Sequence, residues 1–111
     1  PLRRGSNAWT PVIECHAQLL LKRLQEAVEA CEPAVGRSPM LWSAHLYLAA
    51  AHALMGHAER SRASLQIVDR MSPGHTIARL RANRQWAHPD YQRLAQETYY
   101  AGLRRAGMPE R

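Results

Sequence analysis

From position 11 onward the apolar residues recur at intervals of three and four: Val12, Ile13, Leu19, Leu20, Leu24, Ala27, Val28 and Cys31. That period is the signature of an amphipathic helix. Thr10 followed by Pro11 reads as its start, a capping hydroxyl ahead of proline at the first helical position. Pro33 lacks a backbone donor and clashes with the preceding turn, so regular helix is expected to end or kink near Glu32. The pattern leaves open whether 11–32 is one helix or a helix-turn-helix. Ser38-Pro39 repeats the cap-then-proline signal. A helix then runs through Leu41, Trp42, Ala44, Leu46, Leu48, Ala49, Ala53 and Leu54 until Gly56 stops it. The next covers Ala58 to Met71 with Ala63, Leu65, Ile67, Val68 and Met71 as its apolar positions. After Ser72-Pro73-Gly74 comes a short helix from Thr76 to Arg84. A last one from Pro89 carries Tyr91, Leu94, Ala95, Thr98, Tyr99 and Leu103, and ends at Gly107-Met108-Pro109. No segment alternates apolar and polar residues. The expected class is all-α, with short connections that make successive helices antiparallel neighbours.

Composition narrows this picture. A chain of 111 residues with three Trp, four Tyr and no Phe builds one small domain whose core is mostly Leu and Ala. No apolar run approaches the ~20 residues of a membrane span, so no membrane partner is expected. The first ten residues read as a flexible lead-in, polar or basic and without the apolar centre of a secretory signal. They begin without Met, as expected of a fragment or a processed chain. Cys15 and Cys31 are too few for a disulfide scaffold and are expected to be buried small hydrophobes in a reduced, cytoplasmic protein.

The charge balance is basic, 15 cations against 9 acids, and 14 of the cations are Arg, whose planar fork favours carboxylate and phosphate partners. Arg60, Arg62, Arg70, Arg79, Arg81 and Arg84 stand against Asp69 alone. The residues Arg60, Arg62, Arg79, Arg81 and Arg84 form the expected basic face, which is read first as a solvated surface and next as a contact for an acidic protein segment. Nucleic acid ranks behind both, because no aromatic platform, zinc finger or RNA-module signature accompanies the arginines.

Catalytic and metal chemistry find no support. His45 and His52 lie seven residues apart on one helix face, while His16, His57, His75 and His88 are scattered. With no H-E-x-x-H or Cys-x2-Cys, inter-helix packing explains the pair better than a metal does. Cys15 and His16 are adjacent, which points them about 100° apart on a helix and unsuits them as nucleophile and base. Glu26, Glu29 and Glu32 follow a helix flank with no partnered His. There is no Gly-rich phosphate loop. No cofactor and no enzymatic role are expected.

Pro39 and Pro73 stand 34 residues apart, the tetratricopeptide period. Between them fall His45, Leu48, Ala49 and His52, then Gly56 at the turn, then Ser61 and Leu65. Small Ala49 and Ser61 let the two helices approach, while Leu48, Leu65 and Val68 fill the seam. One repeat earlier Ala27, Cys31, Ala34 and Pro39 keep the second-helix spacing, but Lys22 replaces the turn glycine and Glu14 an expected leucine. The units read as a degenerate repeat 11–39, a better repeat 40–73 and a C-terminal cap 74–111.

The wording of the chain goes further. Arg37-Ser38-Pro39-Met40-Leu41-Trp42-Ser43-Ala44-His45 and Leu48-Ala49-Ala50-Ala51-His52-Ala53-Leu54-Met55-Gly56-His57-Ala58-Glu59-Arg60-Ser61-Arg62-Ala63 resemble one tetratricopeptide subgroup. It forms the C-terminal region of bacterial proteins that begin with an adenylate/guanylate cyclase domain or a winged-helix DNA-binding domain. Ser72-Pro73-Gly74-His75-Thr76-Ile77-Ala78-Arg79-Leu80, His88-Pro89-Asp90-Tyr91 and Gly102-Leu103-Arg104-Arg105-Ala106-Gly107-Met108-Pro109-Glu110 look like the usual ending of such chains. The resemblance covers roughly residues 24–110. It implies tetratricopeptide-like helix pairs, a fragment of an α-α superhelix closed by a capping helix. It also implies a non-catalytic protein-interaction or regulatory module of a bacterial signalling protein. Ser43, Leu46, Tyr47, Ala50 and Leu54, with His75, would line its concave groove. The partner would be a protein, either an acidic segment or an upstream domain of the same chain. Because Val12, Ile13, Leu19, Leu20 and Leu21 spread around the first helix, a homodimer through residues 11–32 is also expected.

Overall fold

A computed structural model describes residues 9–37, 42–82 and 88–111. The Ser38-Pro39 cap, which holds the first proline of the 34-residue period, Arg84 and residues 1–8 of the lead-in lie outside the described residues, while Trp9 and Thr10, expected in the lead-in, are helical and begin the first helix. The chain is all-helical, with no strand among the described residues. Its elements are α1 (Trp9–Leu20), α2 (Leu24–Arg37), α3 (Trp42–Leu54), α4 (Ala58–Met71), α5 (Ile77–Arg81), α6 (Pro89–Glu97) and α7 (Tyr99–Ala106).

The first expected helix is two helices. Lys22 takes the left-handed conformation at φ 63°, and α1 turns back into α2 there. A non-glycine residue rarely occupies that region, and what holds it is the packing of α1 along α2. Val12, Cys15 and Leu19 meet Ala27, Val28 and Cys31, all buried. Cys15 and Cys31, expected as separate thiols, are joined as a disulfide with Cα atoms 5.3 Å apart. Each faces the partner helix from a fully buried position, so one helical hairpin brings together two cysteines 16 residues apart.

Pro33 does not end α2, which continues to Arg37. Proline deprives the Glu29 carbonyl of a donor, but both residues face water. Beyond it Ala34 is fully buried, and that burial outweighs one hydrogen bond whose carbonyl water satisfies.

The middle of the chain follows its sequence closely. Gly56 at φ 85° makes the turn out of α3, and α4 spans Ala58–Met71 as the apolar spacing requires. Ser61 is fully buried and its hydroxyl donates to the Ala49 carbonyl at 2.8 Å, the close approach that two small residues permit. Thr76 caps α5 by accepting from the Arg79 N–H, and α5 is short, ending at Arg81.

The expected last helix is also interrupted. Thr98 leaves helical geometry (φ −124°, ψ −74°), and its hydroxyl donates to the Leu94 carbonyl at 2.8 Å. The chain therefore changes direction between α6 and α7. This turns α7 onto α3, where Tyr99, Tyr100 and Leu103 are buried. Gly102 marks the crossing: a Cβ there would stand 2.5 Å from the Ala50 carbonyl oxygen. Helix α7 is one of the principal neighbours of α3. Arg93, Gln96 and Arg105 are exposed, and Arg104 pairs with Glu110. The tail then returns to α5, with the Ile77 and Ala78 N–H groups donating to the Pro109 and Glu110 carbonyls.

Candidate functional site: the open face of α3

Helix α3 is the hub of the molecule, packed by α1, α2, α4 and α7. Its almost uninterrupted apolar sequence from Ala44 to Ala53 is buried throughout. Two of its faces differ.

The first face carries the residues that the sequence placed in a concave groove. Leu46, Tyr47 and Ala50 are buried, Ser43 and Leu54 half-buried, because α7 and α1 lie over them. This corrects the expectation of an open groove: Gly102 lets α7 descend to backbone contact with Ala50. Around Tyr47 an aromatic cluster closes the seam. The His16 ring stacks on Tyr47 at 4.4 Å, with Tyr91 edge-on at 5.5 Å and Tyr99 at 5.8 Å. His16 Nε2 and the Tyr91 hydroxyl are hydrogen-bonded at 2.8 Å. Burial holds the His16 imidazole neutral, its pKa lowered to about 4, and pushes the Tyr47 hydroxyl up to about 12. Burial also raises the Tyr99 hydroxyl well above its usual value. His75, expected in the same groove, sits instead against the Trp42 ring at 4.5 Å, with its Nε2 bonded to the Ser72 hydroxyl at 3.0 Å.

The second face is open. Between α2 and α4 lies a cleft of about 310 Å3 whose floor is a strip of α3, His45, Leu48 and His52, each of them buried. Glu32 and Val35 of α2 form one wall, and Arg60, Ala63, Ser64 and Ile67 of α4 the other. His45 is 6% exposed, and its Nδ1 is enclosed with no hydrogen-bond partner among the described residues. Such an orphaned polar atom in a buried position is uncommon and costly. Burial lowers the pKa of His45, and of His52 together with the neighbouring His57 and Arg60 charges, against an opposing pull from Glu32. His52 Nδ1 and His57 Nδ1 lie 3.2 Å apart, one donating and the other accepting. The sequence identified His45 and His52 as one helix face and read both as inter-helix packing; both are buried, and only a small remainder of each borders the cleft. The signal it did carry was imidazole where a repeat would place large aromatics, since a smaller polar ring leaves space unfilled.

The described residues of the expected basic face come from two helices. Arg60 and Arg62 stand at the start of α4, and α5 follows the other end, roughly 15 Å away at 1.5 Å rise per residue. Arg79 donates to the Gly74 carbonyl. Arg81 lies over the Tyr100 ring at 5.3 Å and bonds Gln96 at 2.5 Å. Arg84 is outside the described residues. Among the described residues no group of three or more His, Cys, Asp or Glu is placed to hold a metal ion, and no helix is long and apolar enough to cross a membrane.

In comparisons with known proteins, no family model, no curated protein and no solved structure matches the chain.

Proposed function

We propose that this chain is a non-catalytic helical interaction module whose docking surface is the cleft between α2 and α4. The observation that carries this is the open floor of α3: a central helix, covered elsewhere by α1 and α7, presents Leu48 and two buried imidazoles to a cleft large enough for side chains of a partner. Pockets of this volume, mostly apolar with a few polar groups, are where binding is expected.

A tetratricopeptide-like arrangement is the architecture we propose for it. The α1–α2 and α3–α4 hairpins and the Ser61–Ala49 approach support that arrangement. Origin in the C-terminal part of a bacterial cyclase-type signalling protein rests on the wording of the sequence and belongs to the same proposal. The expectation of a cytoplasmic setting rested on two unpaired thiols, and the Cys15–Cys31 bond removes that ground. Self-association through α1 is a second proposal, favoured by Ile13 and Leu21, which are 65% and 58% exposed on or beside that helix. Light scattering checks it: a monomer mass that persists as concentration rises, unaltered by Ile13→Glu, overturns it.

The docking reading is tested by selecting peptides on the folded chain and re-measuring them on Ala63→Arg. Ala63 is an exposed wall residue, so the long side chain fills the cleft and leaves the core alone. Selected peptides should lose binding to the variant. Peptides that bind both forms equally would place the partner surface elsewhere.

A further inference from the structure

The Cys15–Cys31 bond joins two helices that the rest of the molecule holds unequally. Helix α2 carries Ala27, Cys31 and Ala34 as fully buried residues and packs on α3 as well as on α1. Helix α1 packs chiefly on α2 and more lightly on α3 and α6. It has 12 residues, a length at which a helix without tertiary support is marginal in water. Of its described side chains Val12, Cys15, His16 and Leu19 are buried. One of these four is half of the bond itself, and another is an imidazole that must stay neutral to be there. The turn that brings α1 back along α2 is costly as well, because Lys22 is left-handed at φ 63° without a glycine's freedom. The Lys22–Glu97 ion pair across to α6, 3.2 Å long, is exposed at both ends, and such pairs hold little. The covalent bond is therefore the strongest tie on α1.

We infer that the Cys15–Cys31 bond is a redox latch: oxidised, it holds α1 over the Tyr47 side of α3, and reduced, it lets α1 lift away about the Lys22 turn. Lifting uncovers Ala27 and Val28 of α2 and the Tyr47 ring on which His16 stacks at 4.4 Å. Helix α7 stays in place, because Gly102 seats it against Ala50 without help from α1. Both cysteines are fully buried, so opening precedes chemistry and reduction is slow. A thiolate of a small dithiol then attacks one sulfur, the S–S bond breaks, and the other sulfur leaves as a thiolate that takes a proton from water. The second thiol of the reductant displaces the mixed disulfide, its proton passing to the released cysteine. The protein has gained two electrons and holds two thiols, and the reductant has become a cyclic disulfide. A disulfide such as oxidised glutathione reverses the exchange.

Hydrogen exchange read by mass spectrometry tests this on the full chain, first oxidised, then reduced with dithiothreitol, then reoxidised with oxidised glutathione. Reduction should cost the α1 amides about 100-fold in protection, the factor that a cross-link closing a loop of this length supports. The amides of Leu65 and Val68 in α4 and of Leu103 in α7 should stay strongly protected, and reoxidation should restore α1. The His16 ring, which titrates near 4 while buried, should move to the ordinary histidine value near 6.5 on reduction, as read by NMR. The double variant Cys15→Ala/Cys31→Ala should match the reduced chain and ignore dithiothreitol. Protection that α1 keeps after reduction overturns the latch. Protection lost evenly across α1, α4 and α7 overturns it too, because the bond then braces the whole fold. A bond that survives excess dithiothreitol in the native protein, or one whose return leaves α1 unprotected, has the same consequence.

Discussion

The two faces of α3 start from similar residues and reach opposite ends. One bears Leu46, Tyr47 and Ala50, the other His45, Leu48 and His52, and each includes an aliphatic residue and at least one ring. The first is sealed because α7 can come down to it: Gly102 removes the side chain that would strike Ala50, and His16 and the tyrosines fill the remaining width. The second stays open because α2 and α4 flank it without a further helix laid between them, so its imidazoles border a cleft. Closure of a helix face is thus decided by whether a neighbour can approach, more than by how apolar the face is. Imidazole behaves accordingly. His16 packs as a neutral aromatic with its ring nitrogen on Tyr91, whereas His45 keeps an unsatisfied nitrogen.

The sealed face is the easier one to break. Gly102→Leu would drive a side chain into the Ala50 backbone and should cost about 3 kcal/mol or more, as overpacking against an immovable backbone does. Urea denaturation measures it; a variant as stable as the parent would mean that α7 does not cross α3 there. The same face depends on α1, which the disulfide ties to α2. Replacing Cys15 and Cys31 by Ser should cost about 3 kcal/mol for a loop of this length. Two reactive thiols in the native protein under oxidising conditions would show the bond absent.

A pH series separates the faces further. Folded His16 is protonated only near 4 because of burial, while an unfolded histidine takes its proton near 6.5. Between those values the unfolded chain holds the extra proton, so stability is complete above 6.5 and falls as the pH drops toward 4. The loss amounts to roughly 3 kcal/mol. His16→Gln should flatten this acid limb, and His45→Gln on the open face should leave most of it. An acid limb that survives His16→Gln unchanged assigns the effect elsewhere. Ser61→Leu, at the seam between α3 and α4, should cost about 1–3 kcal/mol by forcing those helices apart. Arg60→Ala, beside the cleft, should shift stability by less than about 0.5 kcal/mol. A large loss of stability there would make Arg60 structural.

Much of the helix order was legible before any coordinates. The bounds of α4, the Gly56 turn, the start of α5 near Thr76, the Pro89 start and the Gly107 stop are local events, written in proline, glycine and period. A residue and its near neighbours suffice to determine them. The arginines of the basic stretch 60–84 that the structure describes belong to α4 and α5, and Arg79 and Arg81 of α5 have partners close by, the Gly74 carbonyl and the Tyr100 ring. Of the cleft, only the shared face of His45 and His52 was visible in advance.

What tertiary structure decided are the departures from local preference. Lys22 accepts a left-handed backbone, Pro33 stays within a helix and Thr98 breaks one, in each case where burial of neighbouring residues outweighs the local cost. The pairing of Cys15 with Cys31 needs the α1–α2 hairpin, and the burial of Tyr47 needs α7. By itself the sequence determined which segments are helical and where α3, α4 and α7 stop, since those preferences act within a few residues. Which face of α3 is sealed and which is open depended on the approach of segments distant along the chain, and no local period encodes that distance.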